Sequence, residues 1–164
     1  MRFKQFLTES NEFKIYCDLD GVLTDFDGDV KKKTGKTPDQ LDAENRFWPT
    51  IEHLGIDFWE NMSWASDGKT LWNFIKDKHP TILSAPSRDP KSREGKENWI
   101  KRELGSTKYI LVPAKQKQKY ASLTSILIDD MSKNIEQWGA AGGIGILHTS
   151  AKSTIEKLEK ILRS

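Results

Sequence analysis

Near its start the chain reads Ile15-Tyr16-Cys17-Asp18-Leu19-Asp20-Gly21-Val22-Leu23-Thr24-Asp25, a short apolar run that ends on two aspartates one residue apart. Alternate residues of a strand point the same way, so this spacing predicts Asp18 and Asp20 side by side at the carboxyl end of a strand. Ligands of open α/β sheets bind at that end. Adjacent carboxylates repel each other unless a cation or a shared proton relieves them. The pair therefore indicates a divalent metal with a phosphate, or acid/base chemistry; an acidic surface turn is the alternative.

The length, charge and composition of the chain exclude several classes of protein. The chain has 164 residues, enough for one domain with a substantial core. Its 26 basic and 24 acidic residues leave a net charge of +2, which argues against a nucleic-acid partner. A single cysteine excludes a disulfide framework. No apolar run approaches the ~20 residues of a membrane helix, and Met1–Asn11 lacks the features of a signal peptide, so we expect a cytoplasmic protein without a membrane partner.

Strand and helix patterns alternate along most of the chain, which predicts βαβ units and a parallel sheet. After the first strand, the predicted strands are Thr81–Ala85, Tyr109–Val112, Ser125–Ile128 and Gly143–Leu147. The predicted helices of this alternating part are Lys69–Lys78, Lys91–Leu104, Ser132–Trp138 and Ser153–Leu162. We expect Gly105 and Gly139 to stop the second and third of these helices.

One segment, approximately 25–67, interrupts this alternation and is rich in aromatic residues. Gly35 is typical of a helix end, and Thr37-Pro38-Asp39-Gln40 is typical of a helix start with a capping box. The segment is therefore predicted to be a small helical cap, inserted after the first strand of a single domain spanning 1–164.

Polar side chains follow three of the predicted strands. The first ends on Asp18 and Asp20, the second on Ser84, and the fourth on Asp129 and Asp130. Parallel strands present their carboxyl ends at one edge of the sheet. If the three strands are neighbours, these side chains converge on one cleft.

These motifs resemble those of the haloacid dehalogenase-type phosphatases. The first motif of that family, D-x-D-G-x-[LV]-x-[DE], stands here as Asp18–Asp25. Ser84 is similar to its second motif, Lys96 to its third, and Asp129-Asp130 to its fourth. The resemblance implies a Rossmann-like parallel sheet of about five strands, in the order 3-2-1-4-5, with helices on both faces and the inserted cap.

Among these phosphatases the chain is most similar to the 5′(3′)-deoxyribonucleotidases. The helix Lys96–Gly105 matches theirs in spacing, and Leu127–Asp130 reproduces their Leu-Ile-Asp-Asp ending. A further family lysine falls, without gaps, on Lys119, with Lys117 and Lys115 as near alternatives. Aromatic residues that wall the base pocket in that family match Phe26, Phe47 and Trp48. The chain departs from the family's Thr-Ser-Pro, because Ser84-Ala85-Pro86 leaves only the backbone N–H of Ala85 at the second position.

The resemblance implies a role for each of these residues. Asp18 would be the nucleophile and Asp20 the general acid/base. Phosphate would be bound by Ser84, Ala85, Lys96 and Lys119, and Mg²⁺ by Asp18, the Asp20 backbone carbonyl, and Asp129 or Asp130.

The expected activity is hydrolysis of a small phosphorylated substrate, a nucleoside monophosphate, through an aspartyl-phosphate. Two alternatives stay open: a phosphatase of a polynucleotide 3′-phosphate or a sugar phosphate, and a non-catalytic binding protein on the same fold. The oligomeric state is also open, with a homodimer among the alternatives.

Overall fold

Five short parallel strands form one sheet in the order β3-β2-β1-β4-β5. The computed structural model describes residues 12–164, so the prediction for Met1–Asn11 lies outside the described residues. The strands are β1 (Lys14–Cys17), β2 (Thr81–Ser84), β3 (Lys108–Leu111), β4 (Ser125–Asp129) and β5 (Ile144–Leu147). The α/β class predicted from the sequence and the strand order that the resemblance implied are both confirmed.

Strand β1 lies at the centre of the sheet. Tyr16 pairs with Thr81 of β2 on one side and with Leu127 of β4 on the other. Every residue of β2 and β4 is buried, because helices cover both faces of the sheet. Burial on both faces explains why these strands read as continuous apolar runs rather than as alternating ones.

Seven α-helices surround or follow the strands in the described chain. They are α1 (Phe26–Thr34), α2 (Pro38–Ala43), α3 (Phe47–Glu60), α4 (Gly68–Ile75), α5 (Pro90–Leu104), α6 (Ser132–Ala140) and α7 (Ala151–Arg163). Two 3₁₀ segments, Lys76–Lys78 and Ala114–Tyr120, complete the secondary structure. None of the helices in residues 12–164 combines the length and apolar character that crossing a membrane requires.

The C-terminal ends of two helices differ from the sequence prediction by two residues or more. Helix α6 continues through Gly139 to Ala140, and the glycine with a left-handed backbone is Gly142, at φ 94°. Glycine ends a helix efficiently when it adopts this conformation, which Gly139 does not. The predicted helix to Lys78 stops at Ile75, and its last residues tighten into a 3₁₀ turn.

Helices α1–α3 occupy the segment that was predicted as an insertion. Gly35 ends α1 with φ 78°, and Thr37 begins α2 with both hydrogen bonds of the predicted capping box. Buried residues of α3, Ile51 and Phe58, belong to the same apolar core as the strand residue Ile82. These helices therefore share one core with the sheet; that they act as a cap over the cleft stays a prediction.

Helix α3 is kinked at Gly55, where φ is 67° and ψ is -159°. The part of α3 after this kink packs directly on α5. A Cβ atom on Gly95 would lie only 2.4 Å from the Trp59 Cβ, so the two helices approach as closely as a glycine allows. The side chains of Asn98 and Glu60 hydrogen-bond at 3.0 Å, and Arg102 donates to the Glu60 carbonyl at 2.6 Å. Packing and hydrogen bonds therefore both join α3 to α5.

Candidate active site

Asp18 and Asp20 leave β1 at its carboxyl end, as their spacing predicted. The Asp18 N–H still bonds the Ile128 carbonyl at 2.9 Å, and the chain then turns, with the N–H groups of Leu23 and Thr24 donating to the Leu19 carbonyl. The Thr24 hydroxyl donates to an Asp20 carboxylate oxygen at 3.0 Å. This turn holds the Asp20 side chain toward the cleft.

Gly21 is the turn residue that brings the two acidic motifs together. Its φ of 78° is a left-handed conformation that glycine adopts without strain. A Cβ atom on it would lie 2.1 Å from an oxygen of the Asp130 carboxylate. The glycine therefore permits both the turn and the close approach of the segment after β4.

Lys117 joins the nucleophile candidate to the fourth motif. Its ammonium lies 3.1 Å from an Asp18 carboxylate oxygen and 2.8 Å from one of Asp129, and the side chain is buried. Asp129 is also held by the backbone N–H of Met131 at 2.9 Å and by the amide of Asn134 at 3.0 Å. These donors fix the Asp129 carboxylate and compensate its burial.

Lys96 is a second buried lysine, on helix α5. Its ammonium donates to the Ser84 hydroxyl at 2.9 Å and forms an ion pair with Asp20. None of the Lys96 side chain is exposed. The second-motif candidate, Ser84, and the third-motif candidate, Lys96, are therefore in direct contact, and Lys96 also contacts Asp20.

Three aspartates form a compact set of oxygen donors. Carboxylate oxygens of Asp18, Asp129 and Asp130 lie within 4.8 Å of one another. Burial raises the pKa of Asp18 to about 7, and neighbouring carboxylates add to the increase while Lys117 opposes it. Burial and Asp129 likewise raise the pKa of Asp130 to about 6. Neighbouring carboxylates repel each other when all of them are ionised, and a divalent cation between them relieves that repulsion. Because Mg²⁺ prefers oxygen ligands, these three converging carboxylates fit such an ion.

A cleft of about 680 Å³ opens above these carboxylates. Its polar wall contains Asp18, Asp20, Ser84, Ala85, Lys117 and Asp130, and its rim adds Asp25, Asp27, Lys133 and Asn134. Phe26, Trp48 and Met131 supply apolar surface. Trp48 and Met131 are 48% and 56% exposed, so both present apolar surface to solvent.

Two residues predicted for the site lie elsewhere. Lys119 is exposed, and Lys117, one of its near alternatives, contacts the aspartates instead. In the 3₁₀ segment, residues three apart share a face, so Lys117 points inward with Ala114 and Tyr120 while Lys119 points outward. Phe47 does not line the cleft either; its ring packs edge-on against Phe26 and Trp48.

The sequence analysis did not single out several cleft residues. Met131 directly follows the fourth motif, so adjacency to a motif was the available signal for it. Asn134 lies in the first turn of α6, and only the fold shows that its amide reaches Asp129.

Comparison with known proteins shows which solved structures share the fold of this chain. No protein-family model matches the chain, and no curated protein matches it. Among solved structures, a hydrolase from Streptococcus pneumoniae TIGR4 aligns over 91% of this chain and 99% of its own, with 17% identity and a TM-score of 0.53.

The L-2-haloacid dehalogenase from Xanthobacter autotrophicus covers 89% of this chain and 82% of its own, at 13% identity and a TM-score of 0.52. An uncharacterized protein from Corynebacterium glutamicum covers 93% and 96%, at 12% identity and a TM-score of 0.54. The chain thus has the haloacid dehalogenase-like fold that its motifs predicted.

Proposed function

We propose that the protein is a Mg²⁺-dependent phosphomonoesterase that works through an aspartyl-phosphate. The observation that carries this proposal is a pair of buried lysines beside the cleft that Asp18, Asp20 and Asp130 line. Lys96 contacts Asp20, and Lys117 contacts Asp18 and Asp129. A hydrolase function agrees with the fold of the structural neighbours. The activity, the cofactor and the residue roles rest on the resemblance and on the chemistry of this donor set.

A phosphomonoester dianion resists attack by a carboxylate until its charge is neutralised. Lys96 supplies a positive charge, Ser84 a hydroxyl donor and Ala85 a backbone N–H group. The carboxylates of Asp18, Asp129 and Asp130, with the Asp20 backbone carbonyl, would hold Mg²⁺, which supplies further positive charge beside the phosphate. Lys117 keeps Asp18 oriented by its contact with one carboxylate oxygen.

The proposed reaction has two steps. In the first, an Asp18 oxygen forms a bond to phosphorus while the bond to the leaving oxygen breaks, and Asp20 gives that oxygen a proton. In the second, Asp20 takes a proton from water, which attacks the aspartyl-phosphate and releases inorganic phosphate and the Asp18 carboxylate. Because Asp20 pairs with Lys96 in this structure, its acid role requires that Lys96 exchange Asp20 for a phosphate oxygen when substrate binds.

A nucleoside monophosphate is the substrate we infer, as for the 5′(3′)-deoxyribonucleotidases that the sequence resembles. Phe26 and the exposed face of Trp48 line the cleft that contains the aspartates, so a flat base could stack there. Phe47 would support both rings from behind rather than contact the base. Asp25 and Asp27 on the rim disfavour a polynucleotide, because they would repel its further phosphates.

A release assay tests this proposal. Purified protein is incubated with Mg²⁺ and deoxy- and ribonucleoside monophosphates, sugar phosphates, 3′-phosphorylated oligonucleotides and a 2-haloacid, and phosphate or halide release is measured. We expect phosphate from nucleotides, none in excess chelator, and none from Asp18→Asn. Brisk release from a sugar phosphate alone would overturn the nucleotide assignment, and halide release without phosphate release would overturn the phosphatase assignment.

A further inference from the structure

The environment of the Lys96 ammonium contains one group that the proposed reaction does not use. A lysine ammonium has three N–H donors. The Asp20 carboxylate and the Ser84 hydroxyl accept from it on two sides. The Trp59 ring lies on another side, with its centroid 5.3 Å from Nζ. Cations within about 6 Å of an aromatic centroid are attracted by the ring, and tryptophan gives the strongest attraction.

Trp59 is held in this place by the packing of two helices. It is 3% exposed and lies on α3, while Lys96 lies on α5. The residue before Lys96 is Gly95, whose missing side chain lets α5 approach the Trp59 backbone. A bulkier residue at position 95 would separate the indole ring from the ammonium.

The Trp59 ring is also in contact with a cleft residue. Phe26 stacks on it, with ring centroids 5.7 Å apart and 23° between the planes. Phe58 packs edge-on against the same ring at 5.1 Å. Trp59 thus contacts both Phe26, which lines the cleft, and Lys96, whose ammonium contacts the cleft residues Asp20 and Ser84.

We propose that Trp59 is a positioning residue for Lys96, holding its ammonium at the phosphate site through the face of the indole. A ring face attracts the charge but accepts hydrogen bonds only weakly, so an N–H group stays able to turn toward a phosphate oxygen. The ring therefore keeps Lys96 in place while the lysine exchanges Asp20 for phosphate. This inference rests on the proposed function for the identity of the ligand, but the contact itself does not.

The first test is a double-mutant cycle on unfolding in denaturant, without any ligand. Trp59→Leu and Lys96→Met are made singly and together, and Phe58→Leu is the matched control from the same helix. We expect the two changes at 59 and 96 to be coupled by about tenfold in the unfolding equilibrium constant. Phe58→Leu should couple to Lys96→Met by less than about twofold. Equal coupling for Phe58 and Trp59 would overturn the proposal.

The second test measures the affinity for inorganic phosphate, with Mg²⁺ present, by calorimetry. Trp59→Leu should weaken phosphate binding by about five- to tenfold, and Trp59→Phe, which keeps an aromatic face, by less. In the Lys96→Met background, Trp59→Leu should cause no further loss. A full additional loss in that background would mean that Trp59 acts on the cleft without Lys96, and the proposal would be wrong.

The two tests separate this proposal from the proposed function. If the wild-type protein binds no phosphate, the phosphatase assignment fails, while the unfolding cycle still decides whether Trp59 holds Lys96. If Trp59→Leu does not fold, Trp59→Phe takes its place in the cycle, with a smaller coupling expected but still larger than that of Phe58→Leu. Absence of coupling for Trp59→Phe would then overturn the proposal.

Discussion

Lys117 shows how much a single residue decides in this cleft. Its ammonium lies between the carboxylates of Asp18 and Asp129, which leave neighbouring strands of the sheet. Burial lowers the pKa of Lys117, but attraction to these two carboxylates outweighs burial and raises it. Removing one partner of a buried ion pair leaves the other charges uncompensated, which typically costs about 3–5 kcal/mol.

We therefore expect Lys117→Met to lower kcat for phosphate release by about a hundredfold or more, because it removes a charge beside the nucleophile. Lys119→Met is the matched control, since Lys119 lies two residues further along the same segment and is exposed. It should retain kcat within about twofold of the wild type. Steady-state kinetics on protein shown to be folded at the assay temperature checks this. Equal losses for both variants would contradict the assignment of Lys117.

We expect Trp48 to contribute to substrate selectivity in the cleft. A base stacked on an aromatic side chain contributes roughly 1–3 kcal/mol. Trp48→Ala should therefore raise the KM for a nucleoside monophosphate by about tenfold to a hundredfold. Hydrolysis of a small aryl phosphate, too short to reach this ring, should change little.

Leu123→Ala provides the control for that prediction, because Leu123 is 83% exposed and is not among the residues that line the cleft. It should leave both KM values unchanged. A parallel loss of both activities in Trp48→Ala would mean that Trp48 supports the structure of α3 rather than the binding of a base.

At the scale of elements, the contact between α3 and α5 determines how the aromatic residues meet the phosphate site. Trp99 of α5 donates from its indole N–H to the Met62 carbonyl at 2.8 Å, just after α3. With the close approach at Gly95, this bond joins the inserted helices to the helix that carries Lys96. The two helices should therefore move as one unit.

Gly95→Ala should accordingly destabilise the protein by about 1–3 kcal/mol, since its new Cβ would lie 2.4 Å from the Trp59 Cβ and 3.0 Å from the Glu60 nitrogen. Gly139→Ala is the matched helical control, because nothing lies within 4 Å of a Cβ there. It should stabilise α6 by up to about 1 kcal/mol. Denaturant unfolding measures both changes, and an unchanged midpoint for Gly95→Ala would show that the helices can separate at no cost.

For the molecule as a whole, the acidic cluster is a source of instability in the absence of a cation. Asp18, Asp129 and Asp130 are brought together by the ends of β1 and β4, and their mutual repulsion opposes folding. A cation that binds only the folded chain stabilises it by mass action, by about 2.7 kcal/mol at a hundred times its Kd.

Mg²⁺ should therefore raise the Tm of the wild-type protein in a concentration-dependent way. The increase should be lost in Asp130→Asn and retained in Asp27→Asn, which removes an acidic residue that lines the same cleft outside the cluster. Thermal unfolding across a Mg²⁺ titration measures the shift. An equal shift in both variants would show that the ion binds elsewhere.

The sequence by itself determined the sheet and the principal acidic residues of the site. Apolar runs such as the one around Ile126–Ile128 predict strands without any knowledge of distant contacts. The polar residue that follows such a run marks the carboxyl end of the strand. The position of Asp18 and Asp20 directly after the first strand was predictable for the same reason. Helix starts such as Thr37, whose capping hydrogen bonds are local, were also predictable.

Only the tertiary structure decided which lysine enters the cleft and which aromatic residues face it. The run Lys115–Lys119 alternates lysine with glutamine and has no apolar period, so its inward face depends on the 3₁₀ conformation and on packing. Phe47 and Trp48 are adjacent, yet only Trp48 lines the cleft. The contact of Trp59 with Lys96 depends on how closely α3 approaches α5. These outcomes depend on contacts between distant parts of the chain, which local patterns do not encode.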